Sequence, residues 1–181
     1  LTLYPEHQLA CAASAFYPSP FEDSAILSLD GPGEGPAAAV CMGSGEKIKV
    51  LRELRHPDSP QLFSGALAAY AGFGGEAAWE LFTAPEAADK DRAQEFYERM
   101  TGSLVTLRED GSLRLNRRYF SQADGLRPDL PQWRKLFGIG AGAGGELEGE
   151  RLDFAAAARA ALEELVYRLG AQAKRLSGSS N

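Results

Sequence analysis

Three residues near the start of the chain have side chains that can hold a metal ion: His7, Cys11 and Asp30. His7 and Cys11 are four apart. Positions i and i+4 share one face of a helix, so an imidazole and a thiolate at this spacing can reach the same ion. Spacing alone leaves two readings open: a helical metal pair, or an ordinary helix start with a small packed thiol. Asp30 closes the apolar run "SAILSLD" and opens the glycine-rich "GPGEG". A carboxylate followed by Gly31 and Gly33 lets backbone amides approach an anion while the Asp faces a metal or its water. The same composition also makes a plain hairpin turn, which needs Gly and Asp for its dihedral angles.

Other polar groups offer less. Glu76, Glu80 and the charges from Asp89 to Glu98 read as solvated helical faces. His56 sits in a loop beside Pro57 and Asp58, with no partner evident from the sequence. "GIGAGAGGELEG", residues 138–149, has the glycine of a phosphate loop. No strand leads into it and no Lys-Ser/Thr follows, so residues 138–150 are expected to form a flexible loop.

The elements that must position these residues follow from periodicity. Residues 6–17 form a short Ala-rich helix ending before Pro18 and Pro20. Ser24–Asp30, Ala37–Met42 and Lys47–Leu54 read as strands joined by two tight Gly turns, an antiparallel three-strand meander. The period then becomes helical. Gln61–Phe73 places Leu62, Ala66, Ala69, Tyr70 and Phe73 on one face, and Gly72, Gly74 and Gly75 end it. Glu76–Thr83 adds one or two turns, stopped near Pro85. Asp89 caps a helix to Thr101, with Ala93, Phe96, Tyr97 and Met100 on one side. Leu104–Leu107 and Ser112–Leu115 flank Glu109-Asp110-Gly111 as a hairpin. Asp124–Pro131 reads as loop and Gln132–Phe137 as a helical turn. Leu152–Ser177 is the longest element, capped by Asp153, with Phe154, Ala158, Ala161, Leu165, Leu169, Ala173 and Leu176 at helical spacing. The expected fold class is α/β: a mixed sheet containing the meander, with flanking helices and the His7/Cys11 helix beside the Asp30 turn.

At 181 residues the chain is long enough for a single domain, 1–181, with a real core. A net charge of −6 argues against a nucleic-acid-binding surface, which needs clustered Lys and Arg. No apolar run approaches the ~20 residues that span a bilayer, so no membrane partner is expected. Two cysteines, Cys11 and Cys41, make no disulfide framework, which points to free thiols in a reducing, cytoplasmic setting. A start at Leu1 and a stop in "SGSSN" directly after a long helix suggest a piece of a larger protein.

"HQLACAASAF" followed by "YPSPFEDSAILSLDGPGE" resembles the N-terminal part of the O-carbamoyltransferase family, which includes nodulation-factor, tobramycin and cephamycin carbamoyltransferases. The family's pattern there is His-His-x-Ala-His-Ala-Ala-Ser-Ala-Phe, a strand, then Asp-Gly-x-Gly-Glu. "KVLRELRHPDSPQLFSGALAAYAGFGGE", "EDGSLRLNRRYF", "WRKLFG" and "LDFAAAARAALEELV" are similar to later family blocks, in order.

The resemblance implies half of an actin-like (ribonuclease H-like) domain. It implies a metal, iron or zinc, held by His7, Cys11 and Asp30, with Gly31, Gly33 and Glu34 beside nucleotide phosphate. It further implies ATP and carbamoyl phosphate in the complete enzyme, a hydroxyl of a natural product or sugar as acceptor, and a C-terminal half or another subunit as partner. Cys11 stands where the family has its second metal-binding His, and Gln8 replaces the middle His. The family's Gly-Glu-x-Lys stretch survives as "GEAAWELFTAP", residues 75–85, without the Lys. These departures also fit a catalytically inactive relative that acts by docking to a partner in a biosynthetic pathway.

Overall fold

A computed structural model describes residues 6–29, 35–73, 78–83, 86–121, 127–144 and 146–181. The chain begins with helix α1 (His7–Phe16) and three strands, β1 (Asp23–Leu29), β2 (Ala38–Ser44) and β3 (Lys47–Leu54). Consecutive strands pair antiparallel, in the order β1-β2-β3. Gly45, at φ +55°, supplies the left-handed residue of the β2–β3 turn. Register slips by one residue between Val40 and Cys41, leaving Leu51 as a bulge on β3.

β2 is buried on both faces because each face of the sheet is covered. On one face α1 lays Ala12 and Phe16 over Ile26, Ala39 and Cys41. Phe16 lies against the bare backbone of Gly43, where an added Cβ would come 2.6 Å from its ring. On the other face the C-terminal part of α5 (Gly149–Ser177) covers the sheet, with Leu169 and Gln172 beside Leu27, Ala38, Val40 and Leu54.

The larger core is helical. Helix α2 (Pro60–Ala71) starts at Ser59, whose hydroxyl accepts from the Leu62 amide, and ends at left-handed Gly72. Its buried face is centred on Phe63, Ala66, Leu67 and Tyr70, not on Leu62 and Ala69, which are only half-buried. The difference arises because α5 and the turn at Ala78–Thr83 enclose the helix from two sides. Asp89 caps α3 (Lys90–Arg99) as expected, and one π-type turn, Met100–Leu104, carries the chain into the hairpin β4 (Val105–Leu107) and β5 (Leu113–Leu115). Strands β6 (Phe120–Ser121) and β7 (Arg127–Pro128) form a second short pair before α4 (Leu130–Phe137), so part of the loop expected at 124–131 is strand. Tyr70, Trp133, Phe137 and Phe154 meet ring to ring at 5.0–5.9 Å between α2, α4 and α5.

Three expectations are corrected. Among the described residues every strand pair is antiparallel and the strands form three separate sheets, so the sheet is not mixed. Helix α5 starts at Gly149, and Asp153 lies one turn inside it, so Asp153 does not cap its own helix. Its carboxylate is buried and turned across to α3, where it takes the Asp89 amide at 2.9 Å. Leu176 does not join the α5 stripe and stays exposed.

The glycine-rich stretch is fastened along its first half. Tyr70 donates its hydroxyl to the Ile139 carbonyl at 2.6 Å, and the Gly142 amide donates to the Tyr70 carbonyl at 2.9 Å. Gly142 sits so close to the end of α2 that a Cβ would be 2.4 Å from the Ala71 carbonyl oxygen. Arg151 reaches back to the Gly144 carbonyl at 3.0 Å.

Candidate metal centre

Helix α1 brings His7 and Cys11 together as their spacing predicts. His7 Nε2 and Cys11 Sγ are 3.6 Å apart at the solvent-facing side of the helix. Two ligands of one tetrahedral zinc, at ordinary Zn–N and Zn–S lengths, lie about 3.5 Å from each other. The pair's spacing is that of two ligands to one ion, and the same distance suits a thiol–imidazole hydrogen bond. Two ligands do not complete a site. Among the described residues no group of three or more His, Cys, Asp or Glu is placed to hold a metal. Asp30, Gly31, Gly33 and Glu34 lie outside the described residues, as do residues 74–77 and 84–85 of the "GEAAWELFTAP" stretch.

The described residues on either side of 30–34 do locate this corner. Leu29 pairs with Ala38 at the end of the sheet. The Gln8 side chain, 3% exposed, donates from Nε2 to the Pro36 carbonyl at 2.9 Å. The first turn of α1 is thus tied to the residues that lead into β2. Gln8, the position at which the family carries its middle His, points inward as a structural group, while His7 and Cys11 point outward. Its Oε1 is buried with no hydrogen-bond partner among the described residues.

The two thiols differ. Cys11 is part-exposed on the helix, whereas Cys41 is wholly buried in β2. Burial, then the charge of Glu53, pushes the Cys41 thiol above its ordinary pKa. Asp58, noted beside His56, accepts the Leu115 amide at 2.9 Å and ties that loop to the β4–β5 hairpin. Arg52 does the same from β3, donating to the Asp110 carbonyl and carboxylate at 2.8 and 3.0 Å. These two contacts and the Asp153 carboxylate are invisible in sequence order, since each partner is more than fifty residues away.

An α/β domain with a helix laid over an antiparallel three-strand meander is the class of protein that the geometry defines. The chain belongs to the family described as carbamoyltransferase N-terminus, whose model matches residues 1–181. It is similar to the uncharacterized protein sll1178 of Synechocystis sp. (strain ATCC 27184 / PCC 6803 / Kazusa), at 34% identity over 173 residues, covering 93% of this chain and 27% of that protein. It is also similar to nodulation protein NolNO of Sinorhizobium fredii (strain NBRC 101917 / NGR234), at 37% identity over 71 residues, 39% of this chain and 10% of that protein. The chain thus spans about a quarter or less of the curated relatives it matches. Among the described residues no helix is long and apolar enough to cross a membrane.

Proposed function

We propose that this chain is the N-terminal part of an actin-like domain in an O-carbamoyltransferase. The complete protein moves a carbamoyl group, delivered by carbamoyl phosphate and ATP through carbamoyl-adenylate, to a hydroxyl of a small natural product or sugar. Family membership supports carbamoyl transfer, and the 3.6 Å His7–Cys11 pair carries the assignment of this chain's role.

His7 through Nε2, Cys11 through Sγ and the Asp30 carboxylate would hold the metal. An iron or zinc ion there supplies positive charge to neutralise phosphate oxygens. Cys11 would bind through its sulfur, a soft ligand that suits iron or zinc. Gln8 holds the first turn of α1 against Pro36, which keeps the helix registered on the residues leading into β2. Gly31 and Gly33 allow the backbone to approach phosphate, with Glu34 beside them.

A second reading follows from one substitution. Thiolate in place of the second His changes the charge and softness of the ligand set. A chain altered there can keep the fold and act as a docking module without catalysis.

Metal analysis and a carbamoyl-transfer assay on the full-length protein test both. Bound iron or zinc that is lost in His7→Ala and Asp30→Ala, together with ATP consumption dependent on carbamoyl phosphate, supports the enzyme. A metal-free, inactive protein that gains both properties on Cys11→His supports the docking module instead.

A further inference from the structure

The net charge of −6 is unevenly spread. Between residues 117 and 135 the sequence holds five cations, Arg117, Arg118, Arg127, Arg134 and Lys135, against two acids, Asp124 and Asp129. The fold gathers the five at one junction. The Tyr119 carbonyl accepts the Asp129 amide at 2.9 Å and Trp133 Nε1 at 2.6 Å, which binds the turn Arg117–Tyr119 to the end of β7 and to the first turns of α4. Each cation is within two residues of a group in that junction, and all five are exposed.

Six arginines outside the junction each have a carboxylate oxygen within 4.0 Å: Arg52, Arg55, Arg92, Arg99, Arg159 and Arg168. At the junction, among the described residues, none of the five cations has one. Asp129 does not supply it, because the Gln132 amide takes its carboxylate at 3.2 Å as the cap of α4. Like charges gathered in this way repel one another, which costs stability unless an anion from outside answers them.

We propose that this basic junction docks an acidic segment of a partner protein, a run with several exposed Asp or Glu side chains. Four of the five cations are Arg, whose planar fork takes a carboxylate through two parallel hydrogen bonds. They stand on three successive elements and offer several seats, which suits a row of carboxylates better than one phosphate. A long polyanion such as nucleic acid is disfavoured, because beyond this patch it would run on to a surface where acids outnumber bases. The contact steers association and sets which partner is accepted. It uses neither the metal centre nor carbamoyl transfer, and so stands apart from the function proposed above.

Fluorescence anisotropy of a labelled oligoglutamate peptide with the full-length protein tests the docking. Binding is expected at low salt and should fade as ionic strength passes ~0.15 M, where the screening length is ~8 Å. Arg117→Glu and Arg127→Glu should each weaken it at least ~5-fold. Arg55→Glu, the same charge change at an exposed arginine that already has a carboxylate partner, should weaken it less than ~2-fold. No binding by the wild type overturns the proposal. So does an equal loss in all three variants, which would reduce the effect to net charge. Two further results also overturn it: displacement of the peptide by inorganic phosphate at equal concentration, and tighter binding of a DNA oligonucleotide of equal charge.

Discussion

Asp153 and Arg92 form a clasp between α5 and α3, buried on the Asp153 side. The Asp153 carboxylate, fully buried on α5, takes Arg92 Nε and Nη2 at 2.8 and 2.6 Å through one oxygen, and the Asp89 amide at 2.9 Å through the other. Burial opposes ionisation of this carboxyl, and the Asp89 amide and the Arg92 guanidinium outweigh it, holding the pKa below the usual carboxylate range. Asp153→Ala is expected to lower stability by about 3 kcal/mol, because the α3 start loses an acceptor and Arg92 loses its partner. Urea denaturation measures it. A carboxyl with a depressed folded-state pKa contributes stability that is fully present above its unfolded value near ~4, and lost as pH falls through the folded value. Wild type should therefore lose stability more steeply than Asp153→Asn below about pH 4, and an equal slope would contradict the clasp.

Gly142 and Gly140 make a paired test of how the glycine-rich stretch is held. A Cβ at 142 collides with the Ala71 carbonyl, whereas one at 140 meets nothing within 4 Å. Gly142→Ala should cost about 2 kcal/mol or more, and Gly140→Ala should change stability by less than about 0.5 kcal/mol. Thermal melts of the two variants decide; similar losses in both would mean that the stretch does not press on α2.

Tyr70 joins the aromatic cluster to the same stretch. Burial pushes its hydroxyl up to about 12, with Arg134 acting in the opposite sense. The phenol therefore remains a donor to Ile139 throughout the ordinary pH range. Tyr70→Phe leaves the buried carbonyl without that donor and should cost about 1–2 kcal/mol, read by chemical denaturation.

The thiols should be distinguishable by a chromogenic disulfide reagent. Cys11 reacts in the folded protein, while Cys41 reacts only on unfolding. Cobalt(II) titration of the same protein should give a thiolate-to-metal absorption band that Cys11→Ser abolishes and Cys41→Ser leaves intact. A band insensitive to Cys11→Ser would remove Cys11 from the ligand set.

The parts of this fold legible in the sequence are the local ones. Alternation between Gly turns marked β1 to β3, and Asp89 announced its own helix. His7 and Cys11 met because four residues on a helix is a fixed distance. What the sequence hid depends on partners far along the chain. Asp153 looked like a cap for α5 because Asp before an apolar helical run usually is one, and only the packing of α3 shows it serving the other helix. Gly142 looked like one more linker glycine until α2 was placed against it. Its composition suggested freedom, while its position demands a missing side chain. Asp30 and its glycines lie outside the described residues, so that half of the expected centre stands on the resemblance and on the Gln8–Pro36 tie.

Among the described residues, the corner that carries His7 and Cys11 rests on five buried residues, Ala12, Phe16, Ile26, Ala39 and Cys41, with Ile48 and Val50 packed against them. The helical core beside it is several times larger and dense with rings. With so small a foundation, α1 is expected to loosen on warming before the helical core, and an ion bound there would have a mechanical duty besides its chemistry. Loading would act as a rivet, steadying the thin corner and leaving the thick one as it was.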